Sequence, residues 1–299
     1  MLALIAGQGA LPALVLRRRP DALVCELAGF PSGLAASRTF RIERLGAFLQ
    51  DLRTAGVTEV CLAGRVGRPR LDPAAIDTAT LPLVPRMMAA LAQGDDAALR
   101  LVLAFFEEAG FAIRAAHDLV PEVLPSEGVL TGAAPGPTVE RDLARARAAH
   151  AALGAADVGQ AVVVAEGQVI AVEALPGTDW MLTSLLARDP VFAPTGGLFD
   201  DPLGVAADVF GGVAQGPRPR RDPALPAGGI LYKAPKPGQD RRVDLPAIGP
   251  ETLRRAAAAG LEGIVIEAGG VMLLDRDAAL AVADRTGLFL WVRPPDKAA

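Results

Sequence analysis

Between Lys233 and Gly249 the chain gathers four cations, Lys233, Lys236, Arg241 and Arg242, around two carboxylates, Asp240 and Asp244. Pro235, Pro237 and Pro246 stiffen the stretch, because proline has no N–H for a ladder and does not fit a helix interior. An irregular, preshaped segment is expected. Such a segment suits the binding and cleavage of a phosphate ester: the cations neutralise phosphoryl oxygens, and a carboxylate holds a metal or orients a water. Lys233 and Lys236, three residues apart, are expected to face one ligand. Asp244 lies between the apolar Val243 and Leu245, so it is expected to point away from the core and to stay ionised beside the four cations. The alternative reading is a solvated surface loop, the usual fate of a charge cluster.

Weaker candidates lie elsewhere. Gly7-Gln8-Gly9 separates a first strand from a first helix, where backbone amides and a helix N-terminus favour an anion. Pro12 stands where a dinucleotide fingerprint needs its third glycine, so a plain turn is the competing reading and an NAD enzyme is disfavoured. Asp95 and Asp96 open a helix, the first as N-cap and the second as first-turn charge. His117 follows a strand at the end where parallel sheets collect ligands; a structural histidine is the alternative. His150, on an arginine-rich helix, is expected to be exposed. Gly177-Thr178-Asp179 reads as a capping turn. Glu173, flanked by Val172 and Ala174, cannot be buried without a partner, and a contact with Lys233 or Lys236 would mark a site. The chain has only two histidines, so any metal is expected to be a hard ion held by oxygen. No Ser-His-Asp order, Walker loop or histidine cluster is present.

These residues need a scaffold. Apolar strand-like runs at 2–6, 23–28, 57–63 and 111–115 alternate with helical runs at 11–18, 45–55, 85–92 and 95–109, which implies a parallel sheet covered on both faces. Gly132 to Pro137 is the expected linker. Beyond it come a helix at 138–153, a hairpin at 161–172 turning through Glu166-Gly167-Gln168, a short helix to about 187, a Gly- and Pro-rich stretch from 189 to 229, a helix at 250–259, strands at 264–267 and 271–274, a helix at 277–286 and a last strand at 288–292. The expected fold is therefore α/β in two domains: a Rossmann-like parallel sheet at 1–133, a linker at 134–138, and an α/β domain with a mixed sheet at 139–299. A chain of 299 residues supports two domains. A net charge of −4 and 4% aromatics argue against nucleic acid as a partner. Cys25 and Cys61 sit in apolar runs and read as reduced core residues of a cytosolic protein. The mean hydropathy of +0.33 is high; alanine-rich helices or an apolar surface groove would account for it. No run reaches the ~20 apolar residues of a membrane span.

Taken in order, the motifs resemble one family, the UDP-2,3-diacylglucosamine hydrolases of the LpxI type in lipid A biosynthesis. The matching pieces are Leu4-Ile-Ala-Gly-Gln-Gly-Ala-Leu-Pro12, Ala63-Gly-Arg-Val-Gly-Arg-Pro69, Gly94-Asp-Asp-Ala-Ala-Leu-Arg100, Ala116-His-Asp118, Asp157-Val-Gly-Gln160 and Glu173-Ala-Leu-Pro-Gly-Thr-Asp179, with the lysine loop and Glu267-Ala-Gly269. They span nearly the whole chain. The resemblance implies hydrolysis of the diphosphate of UDP-2,3-diacylglucosamine to 2,3-diacylglucosamine 1-phosphate and UMP, with Mg2+. It implies a lipid-linked UDP-sugar held between the two domains, and a cytoplasmic protein in peripheral contact with the inner membrane. It places catalysis at Asp244, Lys233 and Lys236, the metal at Asp244, and substrate contacts at Gly7, Gln8, Gly9, Asp95, Asp96, His117, Thr178, Asp179 and Gln239. Gln8 departs from the glycine many relatives carry, and the 189–229 stretch is longer than usual, so no role transfers there. The rival reading is a non-catalytic binder of a nucleotide-linked lipid. Oligomeric state is not legible in the sequence.

Overall fold

The computed structural model describes residues 1–67, 69–187 and 220–295, and of Asp95 the backbone alone. The first half runs β1 (Leu2–Ala6), α1 (Leu11–Arg18), β2 (Leu23–Leu27), β3 (Arg38–Phe40), α2 (Leu45–Thr54), β4 (Glu59–Ala63), α3 (Val84–Leu91), α4 (Asp95–Glu108), β5 (Ala112–Ile113) and α5 (Ala116–Leu119). The five strands form one parallel sheet in the order β3-β2-β1-β4-β5. All five residues of β1 are buried, as a central parallel strand covered on both faces requires. Ala3 and Ile5 pack with Phe48 of α2 and Phe105 and Phe106 of α4. Leu2 and Leu4 pack on the opposite face with Leu11 and Val15 of α1 and Ala116 of α5. The sheet is thus doubly wound, and its strand order reverses between β1 and β4, the place where such sheets form a crevice.

The second half continues with β6 (Gly128–Val129), α6 (Val139–Ala155), β7 (Ala161–Ala165), β8 (Gln168–Val172), α7 (Thr178–Thr183), β9 (Ile230–Lys233), β10 (Ala247–Ile248), α8 (Pro250–Ala258), β11 (Gly263–Glu267), β12 (Met272–Leu273), α9 (Arg276–Thr286) and β13 (Phe289–Arg293). Six strands form a mixed sheet in the order β6-β13-β11-β9-β7-β8. β13, β11 and β9 are parallel, while β6, β7 and β8 join antiparallel. The β7–β8 hairpin turns through Glu166 at φ 52° and Gly167 at φ 79°, the two positive φ values that match the twist of the strands. Val163, Leu231 and Ile264 face α8 and α9, and Val162, Tyr232 and Val265 face α6.

The two halves are joined by apolar packing. β10 and β12 pair as a small parallel ribbon, and Leu245 and Met272 enter the core built by Leu11, Val15 and Ala116 of the first half. Each such buried side chain is worth roughly 1.5–3 kcal/mol. The segment expected to link the domains is held by the second one. β6 already pairs with β13 ahead of it, Leu290 N–H donates to Thr131 Oγ1 (3.0 Å) and Gly132 N–H to Asp284 Oδ1 (3.0 Å). The change from the first sheet to the second therefore falls before Gly128.

Several local expectations change. His150 is buried, not exposed: it lies on the sheet side of α6, its Nε2 meets the Ala234 carbonyl (2.9 Å), and its ring stands edge-on to Tyr232. Burial lowers its pKa. The N-cap of α4 is Gly94 rather than Asp95, and Gly177 fills the cap of the turn at 177–179; both glycines are at positive φ. Cys25 and Cys61 are free and buried, and burial pushes their thiols up to about 11 and about 12. The expected 189–229 stretch lies, as far as 219, outside the described residues.

Candidate active site at the domain junction

The segment between β9 and β10 is irregular, as its prolines dictate, and it meets α4 of the first half. Lys236 Nζ donates to Asp96 Oδ1 (2.9 Å) and to Asp157 Oδ1 (2.6 Å). Asp96 comes from the first turn of α4. Asp157 follows α6 and holds its place at φ 52°, a left-handed conformation that aspartate tolerates better than most residues. Three turns further along α4, Glu107 accepts from Arg242 Nη1 (2.6 Å). One face of α4 thus grips the loop twice. Burial alone would lower the Lys236 ammonium, but its bonds to Asp157 and Asp96 outweigh it and leave the pKa raised. Lys236 is therefore a firmly charged cation at the junction.

Asp244 lies within this group. Leu245 beside it is buried in the shared core, while Asp244 lines a small cleft with Asp96, Leu99, Arg100 and Asp240. Its Oδ2 accepts from Gln239 Nε2 (2.5 Å), and Gln239 Oε1 accepts from the Lys236 N–H (2.8 Å). The four cations expected around Asp244 do not gather on it. Arg242 chelates Asp240 and Arg241 pairs with Glu267, and Lys233 is turned elsewhere. Burial raises the Asp244 pKa; the Gln239 bond opposes this, and the neighbouring Asp96 charge adds to it. A carboxyl with a raised pKa, held at one oxygen and facing a cleft, can take up a proton from a bound water.

Lys233 does not share a ligand with Lys236. It is the last residue of β9, and strand alternation puts it on the face of Leu231, beneath α7 and α8. Its Nζ is buried and donates to Thr178 Oγ1 (2.8 Å) and to the Ala247 carbonyl (3.2 Å). Thr178 donates onward to Glu173 Oε1 (3.0 Å). Burial lowers the Lys233 pKa, against the pull of Glu173 and then Asp179. Glu173 Oε2 has no hydrogen-bond partner among the described residues. The partner that Glu173 required is thus Lys233, reached through a threonine, and the three form a buried polar tie between β8, α7 and β9. Asp179 is exposed and pairs with Arg255 (3.7 Å).

The remaining candidates lie in the first domain. Gly7 N–H donates to the Ala63 carbonyl, Gln8 N–H to Arg65 and Arg65 N–H back to Gln8. A Cβ on Gly7 would come within 2.7 Å of the Arg65 carbonyl oxygen. Gly7 is thus required by the close approach of the two loops at the sheet's crevice. Gln8 and Gly9 are exposed at the same edge. His117 lies on α5 with Asp118 at 3.8 Å. Asp95 begins α4 beside Asp96. Sequence reasoning gave no role to Asp157, Gln160 or Asp240. Asp157 is 79 residues from Lys236, and no local pattern announces that pairing.

A doubly wound parallel sheet, a second α/β domain with a mixed sheet, and a lysine–carboxylate group where they meet define a two-domain α/β protein. The LpxI N-terminal domain model matches residues 1–123, and the LpxI C-terminal domain model matches residues 126–291. The UDP-2,3-diacylglucosamine pyrophosphatase LpxI of Caulobacter vibrioides is 38% identical over 310 residues, covering 99% of each chain. The chain belongs to the LpxI family.

Proposed function

We propose that this protein hydrolyses the diphosphate of UDP-2,3-diacylglucosamine to 2,3-diacylglucosamine 1-phosphate and UMP. The observation that carries the reading is the hydrogen-bonded group of Lys236, Asp96, Gln239 and Asp244 beside the cleft that Asp96 and Asp244 line, on a chain that aligns end to end with a pyrophosphatase of that substrate. Lys236 supplies positive charge to the phosphoryl oxygens. Asp244 accepts the proton of the attacking water at the oxygen that Gln239 leaves free. Water's oxygen joins one phosphorus, and the bridging oxygen departs on the other. Asp96 and Asp157 hold Lys236 in place until the diphosphate competes for its ammonium.

The donors at the cleft are carboxylate oxygens, the type Mg2+ prefers. Among the described residues no group of three or more Asp, Glu, His or Cys is arranged to hold an ion alone. Mg2+ suits such a site, because it commonly rests on one or two carboxylates plus phosphate oxygens and water. Asp96 would hold it directly and Asp244 through a water, and it would offset the charge of the diphosphate. Gln8 and Gly9, at the crevice of the first sheet, stay in the reading as contacts to the nucleotide half. A doubly acylated substrate partitions into a bilayer, so the reading includes peripheral contact with the cytoplasmic face of the inner membrane. No helix among the described residues is long and apolar enough to cross one. The non-catalytic alternative has no observation in its favour.

Incubating the purified protein with UDP-2,3-diacylglucosamine and Mg2+ tests the reading. Release of UMP in stoichiometric step with the sugar 1-phosphate is expected. Tight binding without UMP would return the non-catalytic reading.

A further inference from the structure

We infer that Gln160 is a positioning residue for the hydrolysis, acting through Gln239 on Asp244. The inference rests on the hydrolase reading and extends it to a side chain with no role so far. Gln239 makes three bonds with its amide. Its Oε1 accepts from the Lys236 N–H (2.8 Å), and its Nε2 donates to Asp244 Oδ2 (2.5 Å) and to Gln160 Oε1 (3.3 Å). A backbone N–H can only be met by an oxygen, so the Lys236 bond settles which way the Gln239 amide points. Its nitrogen must then face Asp244 and Gln160. Each of the two Nε2 hydrogens has its own acceptor.

The two glutamines stand on unlike supports. Gln239 rides on a turn, next to Gly238 at φ 75°. Gln160 directly precedes β7, and its carbonyl accepts from the Ala234 N–H (3.2 Å). Gly159 before it passes so close to Glu173 that a Cβ there would lie 2.1 Å from the Glu173 carbonyl oxygen. Gln160 is therefore anchored to the edge of the mixed sheet, and it lends that rigidity to an amide on a loop. Pinned in this way, Gln239 occupies one oxygen of Asp244 and leaves the other for the cleft. Removing the Gln160 acceptor frees the amide to rotate and loosens the Asp244 bond. The chemistry then slows, while the groups that bind substrate stay in place.

The experiment uses the full chain with UDP-2,3-diacylglucosamine and Mg2+, comparing wild type, Gln160→Met, Gln160→Glu, Gln239→Met and the double methionine variant. Methionine keeps the length of glutamine and removes the acceptor, whereas glutamate keeps an acceptor. In Gln160→Met we expect kcat to fall about tenfold, in the range seen when a supporting hydrogen bond behind a reactive group is lost, with KM unchanged, and in Gln160→Glu most of the wild-type kcat to return. The double variant should be no slower than Gln239→Met alone, because both act through one bond. An unchanged kcat in Gln160→Met, losses that multiply, or a change in KM alone would overturn the assignment. Turnover is taken per folded molecule, from the melting amplitude of the same preparation, so a poorly folding variant still decides the matter. Absence of UMP release by wild type would instead overturn the hydrolase reading, and this inference with it.

Discussion

Lys233→Met removes the cation from the buried Lys233–Thr178–Glu173 tie while keeping an unbranched chain of similar length. Lys233 is only 5% exposed and Glu173 8%, so water reaches neither group. Losing one partner of a buried ionic tie costs about 3–5 kcal/mol, because the other charge is left uncompensated. In a unit the size of the C-terminal domain, each kcal/mol moves Tm by about 2–4 °C. The expected fall in Tm is therefore roughly 6–20 °C. Adding Glu173→Gln removes the stranded charge and should recover much of that loss, so the two substitutions are strongly non-additive. The assay is calorimetric melting of the wild type, both single variants and the double variant, with turnover measured on the same samples. Turnover per folded molecule should stay within a few-fold of wild type. A Lys233→Met protein that melts normally but no longer hydrolyses substrate would refute the reasoning and return Lys233 to the reacting centre.

Lys236→Ala should behave in the opposite way: Asp96 and Asp157 still reach water, so stability should fall by only about 1 kcal/mol, while kcat/KM drops about a hundredfold for loss of a preorganised cation. Equal kinetics in wild type and variant would remove Lys236 from the site. Withholding Mg2+ and adding excess EDTA should abolish turnover, and Mg2+ should restore it; full turnover in EDTA would contradict the metal assignment. In the first domain, the Glu43 carboxyl is pulled down to about 2, first by the Arg41 guanidinium and against burial, with help from the Asp72 N–H. A folded pKa below the unfolded one stabilises above the unfolded value and is lost as pH falls from about 4.5 toward 2. Glu43→Gln should therefore melt lower than wild type at neutral pH and lose less than wild type on acidification; parallel pH curves would sink this account.

The scaffold was largely legible because its elements carry strong periodic signals. β1 and β7 are continuous apolar runs, β4 and β11 carry a single glutamate at one end, and α2, α4 and α8 end near Gly56, Gly110 and Gly260. The pieces that escaped are short. β3 is Arg-Thr-Phe, with no apolar alternation, and β6 and β10 are two residues each. Such strands are set by their neighbours rather than by their own residues. The lysine loop was readable as a shaped, charged segment, but the sorting of its charges was not. Strand alternation at the end of β9 sends Lys233 inward, and the aspartates that take Lys236 come from distant elements. Asp244 illustrates the same limit: the nearby cations are countable in the sequence, yet they take other partners in the fold, and burial moves the Asp244 pKa up.

The central claim is that Asp244 carries chemistry at the cleft and not the stability of the fold. Asp244→Asn keeps the size of the side chain and its acceptor for Gln239, but loses the proton-accepting oxygen. Tm and UMP release, measured on one preparation with Mg2+ present, test the claim directly. The account predicts an unchanged or slightly higher Tm, because a buried charge disfavoured by its surroundings is gone, substrate binding retained, and turnover down by at least about a hundredfold. A lowered Tm with near-normal turnover per folded molecule would contradict it.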